Sequence, residues 1–172
     1  DWLTLEPPAV AYAGVGALDS REFYALAGTR LKPRGYISQW LPAYQVPPET
    51  TLAMVRAFVD IFPQAVLLSG AESDLVLLGT NDARIEIDPD KVSAALAKAP
   101  TVRADLERIN LGSLREMAGT FIGAPHTLAD ATRDVTPVTA AGPHPEYGVP
   151  SMPRCFRGWR HPVCNLGRGA AR

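Results

Sequence analysis

The sequence predicts an α/β fold in which a partly parallel sheet, covered by helices on both faces, ends in an antiparallel hairpin. Up to Phe62, short apolar runs alternate with amphipathic stretches, the pattern of strands joined by helices. The first runs are nearly continuous rather than alternating, as suits strands buried on both faces. Two later runs, Ala65-Val66-Leu67-Leu68 and Leu75-Val76-Leu77-Leu78, are separated only by Ser69 to Asp74. That gap is too short for a crossover helix and favours a hairpin.

Each element has a local reason. Trp2 to Glu6 reads as a strand stopped by Pro7-Pro8, and Ala9 to Leu18, small and glycine-containing, reads as a loop. A chain that opens inside a strand is expected to have lost something before it. Asp19-Ser20-Arg21-Glu22 offers a helix start, with Asp19 as N-cap and Glu22 three residues later. Phe23, Leu26, Ala27 and Leu31 follow at helical spacing, and Lys32-Pro33-Arg34-Gly35 ends the helix. Tyr36 to Leu41 is a second strand. Pro47-Pro48-Glu49 opens a second helix, proline suiting the first turn. Its stripe is Leu52, Val55, Val59 and Phe62, with Met54, Phe58 and Ile61 beside it, and Pro63 ends it.

Beyond residue 82 the periodicity weakens. Asp88-Pro89-Asp90 caps a helix through Lys98, and Thr101 to Ile109 and Ser113 to Ile122 are further helix candidates. From Gly123 onward prolines and glycines accumulate. Ser151 to Arg172 carries five arginines and no acidic residue, and reads as a disordered basic tail. Three regions result: 1–82, a helical extension at 83–150, and the tail at 151–172. No internal repeat is present.

Composition excludes several classes. A length of 172 residues suits one domain, and a net charge of -1 gives no general case for nucleic acid, which wants a strongly basic face. No run of about 18 apolar residues is present to span a membrane, and no secretory leader is visible. The two cysteines, Cys155 and Cys164, make no disulfide framework, so a reducing cytoplasm is the expected setting. With His161 they offer three metal ligands without a fourth and without a short Cys-x-x-Cys pair, so no metal site is expected. His126 and His144 lie in proline-rich stretches and read as surface residues.

Three segments carry a family resemblance. One is Leu3-Thr4-Leu5-Glu6-Pro7-Pro8 with Ala13-Gly14-Val15 and Ser20-Arg21-Glu22-Phe23-Tyr24. A second is Leu31-Lys32-Pro33-Arg34-Gly35-Tyr36 leading into Gln39-Trp40-Leu41-Pro42-Ala43-Tyr44-Gln45. The third is Pro143-His144-Pro145-Glu146-Tyr147. Together they resemble the C-terminal half of spermidine synthase-like (aminopropyltransferase) proteins, nearest a bacterial subgroup often fused to membrane segments. The resemblance covers residues 1–82 closely and 83–150 loosely, and the Gln39 to Gln45 run is its most specific part. It implies the second half of a methyltransferase-type, Rossmann-like sheet. It also implies transfer of an aminopropyl group from decarboxylated S-adenosylmethionine to a polyamine. Relatives are often homodimers, and the location implied is the cytoplasm, or the cytoplasmic part of a membrane-anchored parent.

The family's cofactor half, with its glycine-rich loop and ribose-binding acid, has no counterpart in this sequence. Gly14 and Gly16 form a lone Gly-x-Gly that no strand enters directly, so no cofactor-binding residue is assigned. Without that loop the chain alone is expected not to turn over.

In the transfer an amine attacks a methylene carbon beside a sulfonium, and a carboxylate at a strand's C-terminal edge orients the amine and accepts its proton. By resemblance, Glu6 stands where the family places its catalytic Asp, and Gln39 matches a glutamine that contacts the polyamine. Trp40 and Tyr44 would wall an aliphatic amine, aromatic faces attracting cations. The sequence departs from the family elsewhere. A second Asp becomes Ala9, the loop Ser69 to Asp74 lacks the usual Tyr, and Ala140-Ala141-Gly142 replaces Asp-Asp-Arg. Two other readings stand beside this one: an S-adenosylmethionine-dependent methyltransferase with another acceptor, and a degenerate, non-catalytic module.

Overall fold

A computed structural model describes residues 2–7, 14–41, 43, 46–70 and 74–141. Its strands are β1 (Trp2–Leu5), β2 (Tyr36–Leu41), β3 (Val66–Ser69), β4 (Leu75–Thr80) and β5 (Phe121–Gly123). Its helices are α1 (Arg21–Arg30), α2 (Pro48–Val59), α3 (Pro89–Lys98), α4 (Pro100–Arg108), α5 (Leu114–Gly119) and α6 (Pro125–Ala131), with a 3-10 turn at Val15–Asp19. The strands form one mixed sheet in the order β1-β2-β4-β3-β5. β1 and β2 are parallel, joined through α1. β4 runs antiparallel to both β2 and β3, so the expected hairpin is present and its second strand lies inside the sheet.

The pleat sorts the side chains onto two faces. Leu5, Gln39 and Leu77 lie opposite one another across three strands, and so do Ile37 and Gly79. This face is covered by helices. Ile37, Leu41 and Leu77 are fully buried there, together with Tyr24 of α1, Met54 and Phe58 of α2, and Phe62 just beyond α2. The rings of Tyr24 and Phe58 meet edge-on at 5.0 Å, and Phe58 meets Phe62 at 5.0 Å. Gly79 lets α2 approach: a Cβ there would come within 2.8 Å of the Phe58 ring.

The opposite face carries Trp2, Thr4, Tyr36, Ser38, Trp40 and Val76. Trp2 is 64% exposed and its indole N–H donates to the Ser38 hydroxyl at 3.1 Å. α3, α4 and α5 bury no residue. The expectation of helices over both faces therefore holds for one face among the described residues. The sequence marks amphipathic helices beyond residue 82 but not which surface they meet.

Three local expectations are corrected. Ser20, not Asp19, is the N-cap of α1: its extended backbone lets its hydroxyl accept from the Phe23 amide at 3.2 Å. Glu22 accepts instead from the Ala140 amide at 2.9 Å. On α2 the buried set is Met54, Val55, Ala57, Phe58 and Val59, whereas Leu52 stands at the rim, 37% exposed. The helix expected over Ser113 to Ile122 stops at Gly119, and Phe121–Gly123 joins the edge of β3 as β5. Phe and Ile suit a pleated edge, and the Ser69 amide fixes the junction by donating to the Thr120 carbonyl at 2.7 Å.

Leu128 of α6 and Val138 enter the same core as Tyr24 and Phe58, so residues on either side of position 82 share one hydrophobic centre. Val138 is pinned by its backbone: its carbonyl accepts from the Arg21 amide at 3.0 Å and its N–H donates to Ala53 at 3.2 Å. Among the described residues, no helix is long and apolar enough to cross a membrane.

Candidate functional site

Open α/β sheets take their ligands beyond the C-terminal ends of parallel strands. Here those ends belong to β1 and β2. Leu5, the last residue of β1, lies opposite Gln39, which is two residues short of the end of β2, so Glu6 follows one step beyond that pair. Glu6 is exposed. Gln39 is fully buried on the helix-covered face, opposite Leu77. Trp40 is half-buried and faces the other way, opposite Val76. The structure thus does not bring Gln39 and Trp40 together as one wall, because adjacent strand residues point to opposite faces. Tyr44 lies outside the described residues, as do Cys155, His161, Cys164 and the Pro143 to Tyr147 segment.

What surrounds Gln39 is a polar cluster that its sequence neighbours do not reveal. The Gln39 amide nitrogen donates to Asp19 Oδ1 at 3.2 Å and to the Trp40 carbonyl at 3.0 Å. Asp19 closes the 3-10 turn. Gly14, at φ 86, starts that turn in the left-handed region that glycine enters readily. The Ser20 cap ties down the next residue, and the Asp19 side chain is left wholly buried. Tyr24, one turn into α1, is also fully buried, and its phenol lies near the Asp19 carboxylate without the geometry of a hydrogen bond.

The electrostatics follow from burial. Loss of solvent pushes the Asp19 carboxyl up to about 7, and the nearby Tyr24 hydroxyl offsets part of this. Burial, and then the charge of Asp19, hold the Tyr24 phenol well above its ordinary range. Three atoms in this cluster lack any hydrogen-bond partner: Asp19 Oδ2, Gln39 Oε1 and Tyr24 Oη. Buried polar atoms are nearly always paired, so three orphans in one place are a chemical feature.

Sequence reasoning missed Asp19 and Tyr24 as members of the site. The signal was present in Asp19-Ser20: two adjacent residues that can each cap a helix, of which only one can occupy the position. The other is released for a different task.

Elsewhere the candidates are weaker. An open depression lined by Trp2, Leu3, Arg30 and Leu31 lies at the N-terminal end of β1, away from the C-terminal ends of β1 and β2. His126 is exposed on α6. Among the described residues, no group of three His, Cys, Asp or Glu side chains is placed to hold a metal ion. No protein-family model, no curated protein and no solved structure matches the chain.

Proposed function

We propose that this chain supplies the acceptor side of an aminopropyl-transfer site of the spermidine synthase-like kind. Decarboxylated S-adenosylmethionine is the co-substrate and a polyamine the acceptor. The observation that carries this reading is the register of the parallel pair. Leu5 pairs with Gln39, so the acid that follows β1 comes one step beyond the glutamine of β2, toward the edge where such sheets bind ligands. The antiparallel hairpin after a parallel pair supports a methyltransferase-type, Rossmann-like sheet, by analogy of fold.

In the reaction the acceptor nitrogen forms the new C–N bond while the C–S electron pair leaves with sulfur as a neutral thioether. Glu6 accepts the proton that the nitrogen gives up. The Gln39 amide oxygen, unpartnered in the structure, accepts from an ammonium group. No residue is assigned to the sulfonium compound, since no glycine-rich loop follows a strand among the described residues.

The test is thioether formation by the protein in its full coding length, with Glu6→Gln beside the wild type. Loss of the base is expected to lower turnover by roughly a hundredfold or more. Unchanged turnover would remove Glu6 from the mechanism, and a preference for the carboxylated sulfonium would point to methyl transfer. One observation favours a non-catalytic module as the second reading: both hydrogen bonds of the Gln39 amide nitrogen run to the protein itself. Absence of turnover with either sulfonium compound would select it.

A further inference from the structure

We propose that Asp19, Gln39 and Tyr24 form a buried receptor for one primary ammonium group, the terminal amine of an aliphatic acceptor. The inference rests on the amine-acceptor reading above and extends it to two residues outside the family resemblance.

The argument is one of donors and acceptors. The three orphan atoms are all oxygens: one carboxylate, one amide carbonyl, one phenol. An alkylammonium carries three N–H donors and no acceptor. It therefore matches three oxygens in number and type, and its charge matches the one formal charge in the set. A buried carboxylate without a cation is strongly unfavourable, and Asp19 has no ion pair among those of the described residues. A bound ammonium supplies the missing counter-charge and a donor to each of the three oxygens, while the Tyr24 O–H stays turned toward the nearby carboxylate. A water molecule, with two donors and no charge, supplies neither in full.

Position agrees with chemistry. Gln39 belongs to the cluster, and its register partner Leu5, the last residue of β1, leads directly to Glu6. In the proposed pose the far end of an aliphatic chain gripped by the cluster extends toward Glu6. Asp19 and Tyr24 thus act as binding groups, distinct from the base.

The experiment is calorimetric titration of the 172-residue protein with 1,4-diaminobutane, 1-aminobutane, 1-butanol and potassium chloride. Wild type, Asp19→Asn and Glu6→Gln are compared. The expected result is binding of both amines but not of butanol. Asp19→Asn weakens amine binding about tenfold or more, as for loss of a charge-assisted hydrogen bond, while Glu6→Gln leaves 1-aminobutane binding intact. If Asp19→Asn binds amines as the wild type does, or if potassium binds as tightly, the receptor is overturned. Should amine binding depend on Glu6 and not on Asp19, the receptor fails while the acceptor reading survives. No amine binding at millimolar concentration overturns both. A second measurement needs no variant: the Asp19 carboxyl carbon, followed by NMR near pH 6, should move to its ionised position on adding 1-aminobutane. An unchanged resonance under saturating amine overturns the proposal.

Discussion

Asparagine at position 19 keeps the shape of the buried acid and removes its charge. Gln39 retains its acceptor at Oδ1, and an amide nitrogen in place of Oδ2 becomes a donor beside two unpartnered oxygens. The effect on stability depends on pH, and its sign can be worked out. In the unfolded chain Asp19 loses its proton near 3.8, whereas in the folded protein burial holds the proton until about 7. Between these values the folded state binds the extra proton, so stability falls as pH rises. The contribution is fully present below the unfolded value and lost above the folded one. At about 1.4 kcal/mol per pH unit, the wild type forfeits up to about 4 kcal/mol across the window. Asp19→Asn does not titrate and forfeits nothing from this site. Urea unfolding at pH 4 and pH 8 should therefore show the variant gaining on the wild type by as much as about 4 kcal/mol between the two. Glu22 and Asp88, whose carboxyls are held low by backbone amides, change both proteins alike and cancel in the difference. A difference between variant and wild type that stays flat from pH 4 to pH 8 would refute the assignment of Asp19 as a buried, proton-holding acid.

Other outcomes are open to measurement. Gly79→Ala should destabilise by about 1–3 kcal/mol in chemical unfolding, because the new methyl meets the Phe58 ring and the Phe62 Cβ; Ala at neutral cost would mean that α2 does not press on the sheet. Ser20→Ala should cost about 1 kcal/mol through loss of the α1 cap, read by thermal unfolding with folding otherwise intact. Phe58→Ala, in the centre of the aromatic trio, should cost about 3–5 kcal/mol. In the transfer assay Glu6→Gln should reduce turnover without a matching loss of monoamine binding, which separates proton transfer from grip.

The elements most legible in sequence were those whose own residues decide them. β2 and the β3–β4 hairpin were plain because their apolar runs are bounded by glycine, proline and polar residues. α3 was plain because Asp88-Pro89 is a strong start signal, and Asp88 does accept from the amides of Asp90 and Lys91. Elements decided by distant partners were not legible. β5 exists because β3 offers an open edge to Phe121 and Gly123, and nothing within Ser113 to Ile122 announces that edge. The site divides the same way. The register that sets Glu6 one step beyond the Leu5–Gln39 pair follows from two strands that could each be read locally. The cluster behind Gln39 needs a 3-10 turn, a helix and a strand to converge, and a competition between Asp19 and Ser20 for one cap to be resolved. The split of Gln39 from Trp40 follows from strand periodicity alone, although the Gln39 to Gln45 run that carries the family resemblance sets them side by side.

That same periodicity bears on which amines could react. Within a strand the pleat keeps its two faces apart. Glu6 stands one residue past the end of β1, where ladder pairing has ceased. The proposed pose therefore runs from beyond the end of β1, past Glu6, to the helix-covered side where Gln39 lies. The two contacts demand different things. The cluster wants a charged ammonium, and the acid wants a nitrogen that can become neutral and attack. One amine cannot satisfy both, so an acceptor needs two nitrogens joined by an apolar chain. A monoamine fills the receptor and presents nothing to Glu6. On this geometry 1-aminobutane should be a competitive inhibitor against a diamine acceptor and not itself be alkylated; an alkylated monoamine product would show that grip and attack occur at a single nitrogen and would separate the Asp19 cluster from the chemistry.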